Sequence, residues 1–227
     1  IQYLSAVNSI TLLATLDSRY LMAFRKKMLY SKKAFFGVPV AKDRERIEQN
    51  LREVLRFLGE NPDRADLVQT PSRMLDALSF LTRGLREKLD VSTDEGLFEQ
   101  GGKDLVLLKD IEFVSLCEHH VLPFFGHTHI GYIPDGKIIG ISKIAKVVDH
   151  FSARLQVQER MTAEIADCLF SVIKPKGLGV VVEAVHLCMV ARGVRKKDSK
   201  VVTVAWRGDF QENCDQRQEL LRMLGCS

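Results

Sequence analysis

The sequence lacks any apolar run approaching the roughly 18 residues that a membrane-spanning helix needs, which predicts a soluble chain with no membrane partner. It also lacks a concentrated charge of one sign. With 33 Lys and Arg against 29 Asp and Glu, the formal charge is +4, and the cations are dispersed apart from short clusters such as Arg195-Lys196-Lys197. So mild a balance suits an anionic small molecule as well as a nucleic acid, and does not choose between them. The five cysteines (Cys117, Cys168, Cys188, Cys214 and Cys226) are an odd set, and the chain starts without the basic, apolar and small-residue pattern of a signal peptide. Together these argue against a secreted disulfide framework and predict reduced thiols in a cytoplasmic protein. There is no internal repeat, so no solenoid is expected. What is present is enough for one ordinary core with an accessory segment: 227 residues, 46% hydrophobic and 27% charged.

Residues 1–40 show only loose apolar spacing around the basic stretch Arg25-Lys26-Lys27, and are expected to be a poorly ordered N-terminal extension. Residues 41–87 read as a helical segment. Ile47, Leu51, Val54, Leu55 and Leu58 recur at helical spacing until Gly59, and Asn61-Pro62-Asp63 is a turn. Thr70-Pro71 then reads as an N-cap with Pro at the first helical position, opening a helix through Met74, Leu75, Leu78 and Leu81. The polar, glycine-bearing stretch 88–103 predicts a loop. The main domain, residues 104–227, begins with strand patterns over 105–116, 127–133 and 137–141, the last two joined by a hairpin turn at Pro134-Asp135-Gly136. Helical patterns follow over 142–155 and 159–173, then strands over 179–190 and 200–207 and a short polar helix over 215–224. Strands flanking a helix pair predict an α+β domain, an antiparallel sheet with the helix pair on one face.

The most informative stretch is Cys117-Glu118-His119-His120, a Cys-x-x-His pair at a strand end, answered some seventy residues later by His186-Leu187-Cys188, which reads as part of a strand. Two residues between ligands let a tight loop present both to one ion, and that spacing favours His120 over His119. On a strand, His186 and Cys188 would project from one face. Thiolate, imidazole and thiolate from Cys117, His120 and Cys188 would hold zinc with a fourth position open to water, as catalytic sites do. A fourth protein ligand, from His127, His186 or Cys168, would instead close the site into a staple. Cys168 sits in a helical pattern and reads as a buried small side chain, and Cys214 and Cys226 lie in a polar tail.

A second constellation is Gln156-Val157-Gln158-Glu159-Arg160, where one helical pattern gives way to the next. A carboxylate at a helix N-terminus can accept hydrogen bonds from a guanine's N1 and exocyclic amine; it can equally be a first-turn Glu complementing the helix dipole. A third is the set of cations Lys143 and Lys146 one turn apart, Arg192 just past Cys188, and Arg73 on the early helix. A triphosphate needs several such groups to converge, and each alone also reads as ordinary surface charge.

These segments resemble the GTP cyclohydrolase I family. The match is carried by Ser115-Leu116-Cys117-Glu118-His119-His120, Gly131-Tyr132-Ile133-Pro134, Gly140-Ile141-Ser142-Lys143, Arg154-Leu155-Gln156-Val157-Gln158-Glu159-Arg160 and His186-Leu187-Cys188-Met189, and it extends forward through Asn61-Pro62 and Thr70-Pro71-Ser72-Arg73. The resemblance implies a tunnelling fold, in which subunits join their antiparallel sheets into a barrel, commonly as a homodecamer with active sites between subunits and Arg73 reaching into a neighbour's pocket. It implies Zn2+ on Cys117, His120 and Cys188, with Glu159 and the backbone near Val157 and Gln158 reading the guanine of GTP. It further implies His186 as the proton donor to the imidazole ring, His119 as acid or base at the ribose with Ser142 nearby, and Lys143, Lys146, Arg192 and Arg73 at the triphosphate. The implied reaction is hydrolytic opening of the imidazole ring, release of formate and rearrangement to 7,8-dihydroneopterin triphosphate.

The sequence departs from the family pattern at Lys146, where Arg is usual, at Ala153, and at Val201, Val204 and Trp206 around Thr203. Two other readings stand beside it. A related tunnelling-fold enzyme, such as the nitrile reductase of deazapurine metabolism, would bring a nucleophilic Cys and no zinc trio. A non-catalytic zinc-stapled module would have no use for His119, His186 and Glu159 beside an open metal position.

Overall fold

The computed structural model describes residues 41–91, 96–99 and 102–225; the expected extension over 1–40 lies outside them. Helix α1 (Ala41–Phe57) forms on the predicted apolar spacing, with Asp43 in its first turn and Arg56 in its last, each the sign that complements the helix dipole. Gly59, at φ +90°, turns the chain out of it. Arg52 secures the following turn by donating to the carbonyls of Pro62 and Val68 and pairing with Asp63 at 3.0 Å. Helix α2 (Thr70–Leu81) has Pro71 in its first turn as expected, but Thr70 is already helical and the cap position is Gln69, with no side-chain cap bond. The reason is local: Leu67 N–H donates to Arg64 O and Thr70 N–H to Leu67 O, so the chain is coiled before Thr70 and has no need of a hydroxyl cap.

The stretch read as a loop over 88–103 contains strand β1 (Leu97–Glu99). Strands β2 (Val106–Cys117) and β3 (Pro123–Ile133) follow, β3 starting four residues earlier than its pattern suggested. Strand β4 (Lys137–Ile139) comes after the Pro134-Asp135-Gly136 turn, where Gly136 takes φ +80°. The expected hairpin does not form, because β3 is paired along both edges by β2 and β6 (Gly177–His186) and offers β4 no free edge; β4 pairs with β1 instead. Among the described residues the main sheet has the order β5-β2-β3-β6-β7, with β5 (Leu155–Gln156) and β7 (Val201–Gly208) at its edges. It is antiparallel except for the two-residue parallel pairing of β5 with β2.

Helices α3 (Ile141–Ser152) and α4 (Gln158–Ile173) cover one face of this sheet. Ile144, Val147 and Val148 of α3 and Met161, Ile165, Ala166, Leu169 and Ile173 of α4 pack on Phe113, Phe124, Ile130, Tyr132, Leu178, Val180 and Val182. Full burial of each large apolar side chain contributes roughly 1.5–3 kcal/mol of transfer free energy, so this layer dominates the stability. The fold is thus α+β, an antiparallel sheet with a helix pair on one face, as read from the sequence. No helix among the described residues is long and apolar enough to cross a membrane.

At one end of the opposite face lies α6 (Cys214–Met223), which follows the single turn α5 (Leu187–Val190) and β7 in the chain and is capped by Asn213 Oδ1 accepting from Asp215 and Gln216 N–H. Gly131 and Gly179 are register partners beneath it. A Cβ on Gly179 would fall 2.4 Å from the Trp206 ring, and one on Gly131 would fall 2.2 Å from Leu220 Cδ1. The bare backbone is what lets Trp206 and Leu220 seat. Leu220 is fully buried in the small cluster with Val181 and Phe210, so Leu220→Ala is expected to cost about 2–5 kcal/mol in urea unfolding. A loss below about 1 kcal/mol would mean that this side chain does not hold α6 to the sheet.

Candidate metal and substrate site

Strand β2 ends at Cys117, whose N–H donates to Leu122 O while its own carbonyl accepts from His120 and Val121 N–H. Val121 takes a left-handed φ of +54°, which turns the chain directly into β3. This tight reversal sets the Cys117 Sγ 3.8 Å from His119 Nδ1 and 3.7 Å from His120 Nδ1. Cys188 completes the group: the ligand atoms of Cys117, His120 and Cys188 all lie within 4.8 Å of one another. Cys188 does not reach it from a strand. The β3–β6 ladder runs out at the pair Phe124 and His186, and with no partner beyond it the chain coils into α5, which carries Cys188. His186 and Cys188 therefore do not share a strand face; the His186 ring instead stacks on Phe124, with centroids 4.6 Å apart and planes 6° apart.

The donor set fits zinc. Two sulfurs and one imidazole nitrogen converge, the combination zinc takes when a fourth position is left open. Burial and the neighbouring Cys117 push the Cys188 thiol up, the mutual cost of two thiolates that a dication would reverse. Among the described residues, none of the three candidate fourth ligands joins the group. His127 is exposed in the sheet opposite Glu183, His186 is held by Phe124 and Gln158, and Cys168 lies on α4 with its thiol pushed up to about 11 by burial.

Around the metal group the structure gathers His186, Gln158, Glu159 and Arg192. His186 Nε2 lies 2.8 Å from Gln158 Oε1. Burial lowers the proton affinity of His186, and the Glu159 carboxylate opposes that shift. Arg192 acts on Cys188 in the direction that favours its thiolate. Glu159 is exposed in the first turn of α4, with Val157 at the cap position.

One part of the site escaped the sequence reading. Glu118, inside the metal loop, pairs with Arg160 on α4, and the Glu118 N–H donates to Gln156 O at 3.0 Å. The Arg160 hydrogen bond holds the Glu118 carboxyl below its usual range, against a smaller effect of burial. Arg160 also donates to Gln156 Oε1 at 3.0 Å and to Leu155 O at 3.2 Å, so one guanidinium ties the metal loop to the segment that carries Glu159. The two charges were visible in the sequence, but nothing in one sequence pairs positions 42 residues apart.

The remaining candidates stand on other elements. Ser142 and Lys143 occupy the first turn of α3, where Lys143 lies across Gly96, a Cβ there falling 2.8 Å from its Cε. Lys146, one turn on, borders a cavity of about 330 Å³ together with Arg83, Lys88 and the acids Glu87, Asp90 and Asp149. Arg73 is exposed on α2, which packs on β2 and on the 3-10 turn Arg83–Leu85.

Residues 47–225 match the family model for GTP cyclohydrolase I. The chain is 49% identical over 176 residues to GTP cyclohydrolase 1 2 of Nostoc sp., covering 78% of this chain and 82% of that one. It is 47% identical over 180 residues to GTP cyclohydrolase 1 of Chlorobium phaeovibrioides, covering 79% and 81%. With the Deinococcus radiodurans GTP cyclohydrolase 1 the identity is 44% over 185 residues, covering 82% and 86%. A crystal structure of the archaeosine synthase QueF-Like in the apo form aligns at a TM-score of 0.37 and 23% identity, covering 46% of this chain and 93% of that one.

The Glu118–Arg160 pair makes a prediction about the metal. Partners that orient a ligand loop typically govern metal affinity by about 10–100-fold, so Arg160→Met is expected to weaken zinc binding by about tenfold in competition with a chromogenic chelator. An unchanged affinity would show that the loop is set without the clamp.

Proposed function

The chain belongs to the GTP cyclohydrolase I family, and from that premise we propose which of its residues carry the reaction. As an enzyme of this class it opens the imidazole ring of GTP by hydrolysis, releases formate and rearranges the product to 7,8-dihydroneopterin triphosphate. The observation that carries the assignment of residues is the convergence of Cys117, His120 and Cys188 beside His186 and the start of α4. Zinc held by those three ligands would supply Lewis acidity that makes water nucleophilic near neutral pH.

The other roles follow from the chain itself. The first-turn N–H groups of α4 have no intrahelical acceptors, so the backbone near Val157 and Gln158 can donate to a guanine carbonyl while the Glu159 carboxylate accepts from N1 and the exocyclic amine. That pairing selects guanine over adenine, whose edge has the opposite donors. His186 delivers a proton to the imidazole nitrogen as C8 is attacked; burial weakens its hold on that proton, which favours transfer, and the Glu159 carboxylate partly offsets the loss. His119, on the same loop as His120, serves as acid or base at the ribose, with Ser142 nearby. Lys143, Lys146, Arg192 and Arg73 neutralise the triphosphate. Arg73 stands on a helix separate from the metal loop, which fits a site closed across a subunit boundary in a homodecamer. A reducing cytoplasm would keep Cys117 and Cys188 available to the metal.

Incubation with GTP should yield formate and, after oxidation, a fluorescent pterin in equal amounts, with both abolished by a chelator and restored by zinc. Neither product from a zinc-loaded oligomer would defeat the reading. Chelation that unfolds the chain, where loss of turnover alone is expected, would favour a structural staple. For the triphosphate, Lys lacks the planar fork of Arg, so Lys146→Arg should lower KM for GTP; an unchanged or higher KM would remove Lys146 from that role.

A further inference from the structure

Gln158 is only 1% exposed, although it is the first residue of α4 and its neighbour Glu159 is exposed. Its side-chain nitrogen lies 3.1 Å from Val182 O, 3.0 Å from Val201 O and 3.1 Å from Thr203 Oγ1. Two of these are carbonyls, which only accept. The third has no choice either. Thr162 Oγ1 lies 2.7 Å from Gln158 O, which only accepts, so the Thr162 hydrogen is committed there. In the 2.6 Å contact between Thr162 and Thr203, the donor is therefore Thr203, whose oxygen is left to accept from Gln158.

Every neighbour on that side needs the NH2 group, and a flipped amide would set an oxygen against three acceptors. The amide orientation is thus fixed by its surroundings, and Gln158 Oε1 must face His186. An amide oxygen cannot donate, so the hydrogen in the 2.8 Å contact belongs to His186 Nε2. The stack on Phe124 fixes the plane of the same ring.

We propose that the Gln158 side chain is a positioning residue that, backed by Thr203 and Thr162, keeps the Nε2–H of His186 in place, so that Nδ1, bare in the neutral ring, is the nitrogen that takes up a proton from solvent and delivers it to the substrate. This deepens the assignment above and rests on it only where His186 is taken as the proton donor. It also separates two parts of Gln158: its backbone is available to the purine, while its side chain is wholly spent inside the fold.

The test uses the zinc-loaded enzyme labelled with 15N-histidine, with the His186 signals identified by their absence from His186→Asn. The imidazole nitrogens of neutral His186 should report a protonated Nε2 and a bare Nδ1. Removal of a group that fixes a catalytic imidazole lowers turnover by an order of magnitude or more. Thr203→Val is accordingly expected to lower kcat about tenfold and Gln158→Met more, with zinc content and KM for GTP within about twofold, and Thr203→Ser should restore turnover. A bare Nε2 in the unsubstituted enzyme overturns the proposal, as does full kcat in both Gln158→Met and Thr203→Val. If Gln158→Met does not fold, Thr203→Val and the spectrum decide. Retained turnover in His186→Asn would defeat the proton-donor role, while the spectrum would still report whether Gln158 sets the tautomer.

Discussion

The site depends on where one strand ladder ends. Strands β3 and β6 pair without a break from Ile133 and Gly177 to Phe124 and His186, and there the pairing stops. Antiparallel geometry brings the end of β2, the start of β3 and the end of β6 to the same end of the sheet, so Cys117 and His186 arrive together although they are far apart in sequence. Past the last pair the backbone needs other acceptors, and one helical turn supplies them locally and carries Cys188 back to Cys117.

The same end of the sheet also receives the segment that carries Glu159. Two parallel pairs join Leu116 to Leu155 and Cys117 to Gln156, which seats the start of α4 beside the metal loop. Gln156 is nearly fully buried, and its side chain is satisfied by Phe151 O, Glu164 and Arg160. With Gln158 bound into β6 and β7, two buried amides on either side of Val157 fix the helix start before Glu159 emerges. Buried amides cost stability unless all their groups are paired; here that demand becomes rigidity at the start of α4.

Much of the candidate site was legible in the sequence because ligand spacing is a local property. Cys117, His120 and Cys188 were named as a trio and meet within 4.8 Å, and helices α3 and α4 followed from apolar periodicity and breakers. The strand misreadings have a common cause. The hairpin expected at Gly136, the loop expected over 88–103 and the strand expected to continue through Cys188 were all decided by which strand partners were available: β3 had none left for β4, β1 had β4, and β6 had none past His186. The Glu118–Arg160 clamp likewise turned on a contact outside the window in which a pattern is read, whereas Thr70 lost its cap role to a local coil already formed over the residues before it.

The sequence alone determined the residue types at the site, the spacing that lets one loop offer two ligands, the helix and strand periods and the resemblance to a family, because each of these is written within a few consecutive residues. Only the tertiary structure decided that Cys188 arrives on a helical turn and that the Gln158 side chain faces His186 and not solvent. It alone set the direction of every hydrogen in the Thr162–Thr203–Gln158 chain. Those outcomes depend on acceptors contributed by β6 and β7, and no local pattern specifies which distant carbonyl a buried amide will meet.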